Sequence, residues 1–417
     1  MKSDVIIIGA GAAGLMAARE LSARGKSVVV LEARERIGGR ICPLSVEEFG
    51  YQAEGGAEFV HGEAPVTYAL AREAGIAITT PQGRWHNVST ARQPQPAEYT
   101  EALKKALHQL EEDMSVSQFL EEYFSGEQYS DFRDSIRGRI EGYDAGDASR
   151  ASAFALRDAL LSPSISKQGI LKDGYSPLVR FLESEARTHK TEIFLEKEVK
   201  GVRLEKDGVE ISCADGSTYR AAQALVTVPL PLIGEIAFTP AIPEYVGAAG
   251  VIGFGTVIKI LLRFKDKWWE AQGEEFKDLY FLFSDEVIPT WWTQHPSENA
   301  TLTGWLAGPE AAILSVYTDA ELLDLALESL AHIFNLSKDV VRADLVASKV
   351  LNWQNDPYAR GAYSYTTPET KRAVEVLRTP LAGRLFFAGE ALSLGEGSTT
   401  VEGALDSGKE TAARMLG

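Results

Sequence analysis

The sequence predicts an α/β fold in which a Rossmann-like dinucleotide-binding domain is interleaved with an α+β domain, a mixed sheet flanked by helices. The chain opens with a strand, a glycine-rich turn, a helix and a second strand, which together form a βαβ unit. Its 417 residues are enough for about two to three domains. A further buried-strand pattern occurs near the C-terminus, at 384–389. We therefore expect both ends of the chain to contribute to the first domain.

The predicted elements follow from hydrophobic periodicity and turn residues. Asp215-Gly216 indicates a hairpin turn, and 93–96 reads as a loop. Helical patterns cover 15–24, 101–113, 116–124, 131–140, 176–188, 320–334 and 401–415. Strand patterns cover 5–8, 27–31, 193–195, 199–204, 209–213, 224–228, 254–264, 301–306 and 384–389.

Composition excludes several classes of protein. Hydrophobic residues make up 45% and charged residues 24%, as in ordinary globular chains. A net charge of −17 argues against nucleic acid or an anionic membrane as partner. Two cysteines, Cys42 and Cys213, exclude a disulfide framework, and the histidines show no metal-ligand spacing. Because no metal-ligand pattern is present, we expect no bound metal. We see no signal peptide and no apolar run of about 18 residues, so we expect no membrane association and a cytoplasmic location.

A dinucleotide fingerprint follows the first strand. The run Gly9-Ala10-Gly11-Ala12-Ala13-Gly14 has the form G-x-G-x-x-G. Its glycines allow a tight turn, close approach of the backbone to a pyrophosphate, and close helix packing. Glu32 ends the second strand, where its carboxylate can bind a ribose hydroxyl and would repel the 2′-phosphate of NADP. At this point NAD and FAD both remain possible.

The next segment distinguishes these two cofactors. Glu32-Ala33-Arg34-Glu35-Arg36-Ile37-Gly38-Gly39-Arg40 continues directly from the strand. Paired glycines followed by Arg40 can bring backbone and a guanidinium to the other side of the same pyrophosphate. A domain that binds NAD needs no second clamp of this kind. The sequence therefore predicts FAD.

The ordered set of motifs resembles the flavin amine oxidase family, which includes monoamine and polyamine oxidases. Beyond the two runs above, the resemblance rests on 54–62 (EGGAEFVHG), 172–175 (KDGY), 254–259 (FGTVIK), Trp353 with 356–363 (DPYARGAY), 387–390 (FAGE) and 401–408 (VEGALDSG). These motifs span almost the whole chain.

The resemblance implies which residues hold the cofactor. Gly389 and Glu390 would meet the ribitol and pyrophosphate, and the backbone of Val199 would hold the adenine. The segment Gly56-Ala57-Glu58-Phe59 would follow the edge of the flavin ring. Further cofactor contacts are implied at Ala10, Ala13, Ala33, Arg34, Trp353, Thr400 and Val401.

The resemblance also implies the reacting residues. Lys259 interrupts an otherwise apolar strand pattern, so it must either reach solvent or be buried with a function. The matching lysine of the family holds a water beside flavin N5 and assists reoxidation by oxygen. Trp353 would lie against the flavin ring. Tyr363 would form one wall of an aromatic cage that guides a small-molecule amine to the flavin.

Two departures from the family pattern refine this interpretation. Ala362 stands where mitochondrial monoamine oxidases carry the cysteine that bonds to the flavin, so non-covalent FAD is expected. Thr400 stands where the second cage tyrosine is usual, which makes the cage one-sided. His61 and Glu63 could face a second amine, as in polyamine oxidases, or belong to a simple loop. Further candidates for the pocket, or alternatively for the core, are Trp85, Tyr175, Trp291 and Trp292.

We expect the FAD-binding domain to comprise 1–75, 190–255 and 350–417, and a substrate-binding domain to comprise 76–189 and 256–349. The expected activity is oxidation of an amine to an imine, with oxygen reduced to hydrogen peroxide. An L-amino-acid oxidase is an alternative, although 55–62 lacks the arginine that would bind a substrate carboxylate. Carbon–carbon desaturases and protoporphyrinogen-type oxidases are another alternative, since they share the pyrophosphate motifs, although the strand lysine is not typical of them. A flavin-bound interaction protein without turnover is a further alternative.

Overall fold

A computed structural model describes residues 2–89, 95–161, 167–394 and 397–417 of the chain. It confirms the predicted α/β class. The strands are β1 (Lys2–Ile8), β2 (Val28–Leu31), β3 (Phe59–His61), β4 (Ile78–Thr79), β5 (Arg84–Asn87), β6 (Gln168–Leu171), β7 (Glu192–Phe194), β8 (Val199–Glu205), β9 (Gly208–Cys213), β10 (Thr218–Val226), β11 (Ala237–Thr239), β12 (Gly253–Phe254), β13 (Val257–Phe264), β14 (Leu279–Phe283), β15 (Thr290–Trp292), β16 (Thr301–Ala307), β17 (Leu345–Asn352), β18 (Ser364–Tyr365) and β19 (Leu385–Phe387). The helices are α1 (Ala12–Ser22), α2 (Val46–Phe49), α3 (Pro65–Glu73), α4 (Ala97–Gln109), α5 (Val116–Tyr123), α6 (Ser130–Gly142), α7 (Ala153–Leu161), α8 (Ser176–Thr188), α9 (Leu230–Ile233), α10 (Pro243–Val251), α11 (Gly308–Leu314), α12 (Asp319–Ile333), α13 (Lys338–Ala343), α14 (Thr370–Arg378) and α15 (Val401–Leu416).

The first sheet is built around β1, which pairs in parallel with β2 on one side and β10 on the other. Its strand order is β11-β8-β9-β10-β1-β2-β7. The remaining strand, β19, pairs in parallel with the C-terminal residues of β10, from Ala224 to Val226. Both faces of β1 are covered. Val5 and Ile7 pack with α1, while Ile6 and Ile8 pack on the opposite face. Burial on both faces explains why this strand is continuously apolar.

Helices α1, α8 and α15 cover one face of the first sheet. Leu15 and Leu21 of α1 share a core cluster with Leu178 and Leu182 of α8. The boundaries of the two domains remain a prediction. Leu171, Tyr175 and helix α8, which were expected in the substrate-binding domain, pack with the dinucleotide-binding βαβ unit.

The second sheet has the order β17-β13-β16-β15-β14-β5 and is antiparallel except where β14 meets β5. Alternation along β13 sends Ile258, Ile260 and Leu262 into a core with α12. Lys259 therefore points to the opposite face, which is the face that looks toward the first sheet. The register of this one strand fixes the position of the most unusual side chain in the sequence.

Most predicted elements agree with the structure to within a few residues, and the predicted range of α8 matches its observed bounds. The expected hairpin at Asp215-Gly216 joins β9 to β10. Several elements were not predicted, among them α7, β6, β14, β15 and β17. Residues 93 and 94 of the expected loop at 93–96 lie outside the described residues.

Candidate active site

A cavity of about 1630 Å³ lies between the carboxyl ends of the parallel strands in the first sheet and the inner face of the second. Pockets for single small ligands are typically about 300–1,000 Å³, so this cavity has room for a dinucleotide together with a second molecule. Its walls include most of the sequence-predicted residues, namely Gly9, Gly11, Ala13, Glu32, Ala33, Arg34, Gly38, Gly39, Arg40, Gly56, Ala57, Glu58, Phe59, His61, Val199, Lys259, Trp353, Tyr363, Gly389, Glu390, Thr400 and Val401. Ala10 and Gly14 lie behind the wall rather than in it.

The glycine fingerprint forms a turn with backbone open to the cavity. Gly9 has a φ of 108°, which favours glycine. A Cβ at Gly14 would lie 2.1 Å from the carbonyl oxygen of Gly9, whereas a Cβ at Gly11 would meet no atom within 4 Å. Gly14 thus allows α1 to approach the strand, and Gly11 leaves a space at the N-terminus of α1. Such a space beside free N–H groups fits a phosphate.

Glu32 is buried at the end of β2 and braces this turn. Its carboxylate accepts hydrogen bonds from the backbone N–H of Ala10 at 2.7 Å and of Arg34 at 2.9 Å. A carboxylate offers about four lone-pair sites, so these two bonds leave capacity for a hydroxyl donor from the cavity. The position at the strand end fits the predicted contact with a ribose.

The two predicted arginines differ in their partners. Arg34 is held by both carboxylate oxygens of Asp356, at 2.9 and 2.5 Å. Arg40 donates to the carbonyl oxygen of Ala362 at 2.8 Å and to Glu390 at 2.9 Å. Both guanidinium groups therefore join segments more than 300 residues apart in sequence. Arg40 brings the N-terminal glycine turns and the C-terminal Gly389-Glu390 segment to one place.

Lys259 is buried, with 1% of its side chain exposed, and it faces the cavity. Its ammonium group donates to Glu58 at 2.7 Å and to the carbonyl oxygen of Gly56 at 3.1 Å. It also lies 5.2 Å from the ring centroid of Trp292, a distance at which a cation is attracted by an aromatic face. Among the described residues, these contacts use two of its three N–H donors.

Glu58 is the counter-ion of Lys259. Its second carboxylate oxygen accepts from the indole N–H of Trp292 at 3.2 Å and from the side-chain amide of Gln294 at 2.9 Å. The prediction that Glu58 belongs to the segment along the flavin did not include this pairing. A signal was available, because a buried lysine requires a counter-ion and Glu58 is an acid among small and apolar residues.

The segment around Gly56 is held against the cavity wall without room for side chains. A Cβ at Gly56 would lie 1.8 Å from the carbonyl oxygen of Arg40. The indole N–H of Trp353 donates to the carbonyl oxygen of Gly55 at 3.2 Å, and this buried tryptophan lines the cavity next to Gly56. This arrangement offers a flat wall of backbone and indole, which fits a planar ring.

Tyr363 forms another part of the wall. Its hydroxyl donates to the carbonyl oxygen of Tyr143 at 2.9 Å, and its ring is nearly parallel to that of Trp305, with centroids 6.5 Å apart. Burial raises the pKa of Tyr363 well above its ordinary value, so the phenol stays neutral. The aromatic partner of Tyr363 is thus Trp305, which the sequence did not indicate.

Thr400 and His61 occupy other parts of the cavity. Thr400 is the N-cap of α15, where its hydroxyl accepts from the N–H of Gly403 at 3.4 Å and donates to the carbonyl oxygen of Gly397 at 2.6 Å. His61 packs edge-on against Phe59 and Tyr143. Burial lowers its pKa, so its imidazole is neutral near pH 7.

Three of the predicted pocket candidates do not lie in the wall. Glu63 is 61% exposed at its side chain, forms an ion pair with Lys167 and does not line the cavity, which agrees with a loop role rather than with a contact to a second amine. Trp291 lies in the core behind the second sheet, and Tyr175 is buried in the first core. Trp85 and Trp292, by contrast, do line the cavity.

Further cavity residues were not predicted at all. Trp305, Tyr143 and Asp144 line it, as do Phe281 and Phe283 of β14. The short apolar strand that carries the two phenylalanines has no motif, and periodicity alone does not assign such a run. In the described ranges, no group of three or more metal-ligating side chains is present, and no helix is long and apolar enough to cross a membrane.

Comparison with known proteins finds a family whose model matches the chain. A model described as flavin-containing amine oxidoreductase matches residues 12–416. Human lysine-specific histone demethylase 2 is 27% identical over 459 residues, which cover 99% of this chain and 53% of that protein. Polyamine oxidase 2 of Arabidopsis thaliana is 27% identical, over 94% of this chain and 83% of that protein. The chain spans 30% to 57% of the length of the histone demethylases to which it is similar.

Solved structures show the same fold. Putrescine oxidase bound to putrescine superposes with a TM-score of 0.82 at 22% identity, covering 100% of this chain and 99% of the other. Cyclohexylamine oxidase from Brevibacterium oxydans IH-35A has the same TM-score at 21% identity. Since the family model matches nearly every residue, this chain belongs to the family of flavin-containing amine oxidoreductases.

Proposed function

We propose that this chain oxidises a small-molecule amine to an imine, which water hydrolyses to an aldehyde or ketone, and that oxygen is reduced to hydrogen peroxide. Bound FAD supplies the redox chemistry by taking a hydride equivalent from the carbon next to the amine and passing two electrons to oxygen. The observation that carries the proposal is the buried Lys259–Glu58 pair beside the flat Gly56–Trp353 wall, in a cavity that also contains both glycine turns.

The chain's own residues would hold the cofactor in an extended form. The open space at Gly11 and the N-terminus of α1 would take the pyrophosphate, and Glu32 would accept from the adenosine ribose. Gly389 adds a second open turn, because a Cβ there would meet no atom within 4 Å. Ala362 has no nucleophile, so binding would be non-covalent. We further propose a cytoplasmic location.

Lys259 would act through its remaining N–H donor, which can hold a water or stabilise negative charge that develops beside it. Trp353 and Gly56 would position the planar ring next to this donor. The neutral phenol of Tyr363 and the indole of Trp305 would form the walls along which the amine approaches. Neutral aromatic faces suit both an incoming ammonium group and the uncharged amine that reacts.

One observation favours a second candidate, an L-amino-acid oxidase. Arg139 of α6 lines the cavity, and among the described residues it forms no ion pair. A guanidinium in this position could bind a substrate carboxylate. Against this candidate, the carboxylates of α6, of the segment after it and of the loop after β14 line the same cavity, namely Asp134, Asp144, Asp285 and Glu286.

The test is anaerobic addition of primary, secondary and polybasic amines, and of α-amino acids, to the yellow holoenzyme. We expect the flavin absorbance to bleach with at least one class of amine and to return when oxygen is admitted, with peroxide formed. Bleaching by α-amino acids alone would favour the second candidate. A flavin that stays oxidised with every compound would mean a flavin-bound protein without this activity.

A further inference from the structure

A short segment after α6 presents Asp144 to the cavity in a fixed position. The carbonyl oxygen of Gly142 accepts from the indole N–H of Trp305 at 3.0 Å, and that of Tyr143 accepts from the hydroxyl of Tyr363 at 2.9 Å. On the other side, Ala145 adopts a φ of 51°, in the left-handed region that alanine rarely occupies. Two walls of the cavity thus hold the backbone on one side of Asp144, and an unusual backbone conformation follows it.

The carboxylate of Asp144 lines the cavity and, among the described residues, makes no hydrogen bond or ion pair. Arg139 is near enough to lower its pKa, but burial outweighs this effect and raises the pKa of Asp144 to about 6. The site thus keeps an acid that is ionised at neutral pH and that the protein itself does not neutralise. A partly buried charge of this kind is expected to be paired when the site is in use.

We propose that Asp144 binds a second cationic group of the substrate, so that the site selects amines carrying two positive charges over monoamines. This proposal rests on the proposed function. The amine that reacts must be neutral, so an ion pair with Asp144 suits a second ammonium group rather than the reacting one.

The orientation of Tyr363 separates the two positions. Its backbone end is adjacent to Ala362, whose carbonyl oxygen accepts from Arg40, and so lies beside the Arg40–Glu390 pair. Its hydroxyl end reaches Tyr143, next to Asp144. The length of a tyrosine side chain therefore separates the Tyr143–Asp144 backbone from the proposed cofactor contacts. The aromatic rings of Tyr363 and Trp305 line the path between them, as in other sites for ammonium ligands.

Further acids on the cavity wall have the sign of charge that this proposal needs. Asp285 and Glu286 line the cavity from the loop after β14, and Asp134 lines it from α6. Arg139 is the basic side chain that α6 and this loop contribute to the cavity wall. Carboxylates thus outnumber the single guanidinium, which favours entry of a substrate with more than one positive charge.

The experiment compares α,ω-diaminoalkanes with n-alkylamines of the same carbon number, using the holoenzyme. For the wild type, we expect kcat/KM to be at least about tenfold higher for the diamine. In Asp144→Asn, the KM of the diamine should rise by about the same factor, while kcat and the KM of the monoamine change little. Asp144→Glu keeps the charge and should recover part of the preference.

Asp131→Asn is the matched control, because Asp131 lies in the first turn of α6, is exposed and does not line the cavity. It should leave the ratio between diamine and monoamine nearly unchanged. The proposal is overturned if the wild type does not prefer the diamine, or if Asp144→Asn affects both substrates equally. Either result would still leave amine oxidation itself intact, whereas loss of turnover with every amine would count against the proposed function instead.

Discussion

Two acids on the walls of one cavity differ in whether their carboxylates have partners in the protein. Glu58 is buried beside Lys259, and every oxygen of its carboxylate has a partner in the protein. Asp144 also faces the cavity, and the two residues before it accept hydrogen bonds from Trp305 and Tyr363, but its carboxylate is left unpaired among the described residues. The structure thus neutralises one buried charge and preserves the other.

The difference lies in how long each charge needs a partner. A cofactor stays in place, so the charges beside it can be balanced once, within the fold. A substrate enters and leaves, so a residue that binds it must stand without a partner in between, at a cost in stability. These terms match the roles proposed above, in which Lys259–Glu58 lies beside the cofactor and Asp144 binds the substrate.

The largest expected effect comes from breaking the paired site. Glu58→Gln keeps the shape but leaves the Lys259 ammonium uncompensated in a buried position. We expect the free energy of unfolding at pH 7 to fall by about 3 kcal/mol, the lower part of the range for breaking a buried ion pair. Denaturant unfolding of the holoenzyme measures this change.

Two controls make this prediction sharp. Glu63→Gln breaks an exposed ion pair with Lys167 and should cost less than about 1 kcal/mol. The double variant Glu58→Gln/Lys259→Met removes both charges and should recover part of the loss. If Glu58→Gln is no more destabilising than Glu63→Gln, the pair does not hold the site together.

The next effect concerns reactivity rather than stability. Lys259→Met removes the N–H donor that faces the cavity, and we expect reoxidation of the reduced flavin by oxygen to slow about 100-fold, as for loss of one well-placed donor. Reduction by the amine should change far less, because a neutral amine needs no such donor. Stopped-flow absorbance separates the two half-reactions. Equal slowing of both would argue that Lys259 only maintains the structure.

These contacts also show what could be read from the sequence. The glycine turns were predictable because their chemistry is local, with spacing, strand and helix all within a few residues. Lys259 was predictable because one charge in an apolar strand has few explanations. The class of fold followed from the same local patterns.

The pairings could not be predicted, because they join residues that are far apart in sequence. Glu58 and Lys259 are separated by 201 positions, and Tyr143 and Tyr363 by 220. Asp144 carries no motif and lies just beyond a helix of ordinary polarity. Only the packing of α6 against the second sheet shows that this acid faces the cavity and that Tyr363 and Trp305 hold its segment in place.

The smallest effect tests the cost of the unpaired site. Burial raises the pKa of Asp144 from 3.8 to about 6, while Tyr143 and Tyr363 beside it stay neutral because burial raises their pKa values too. The folded state therefore binds this proton more tightly than the unfolded state. The corresponding stability is present below about pH 4 and is lost as pH rises through 6.

Asp144→Asn cannot ionise, so above pH 7 it should be more stable than the wild type by about 2 kcal/mol. This is somewhat less than the shift itself implies, because the side chain is partly open to the cavity. The advantage should shrink toward pH 4 in paired unfolding experiments, and the control variant Asp131→Asn should show no such trend. An advantage of equal size at both pH values would mean that the amide packs better for reasons unrelated to charge, and the contrast with the paired Glu58 would then lose its physical basis.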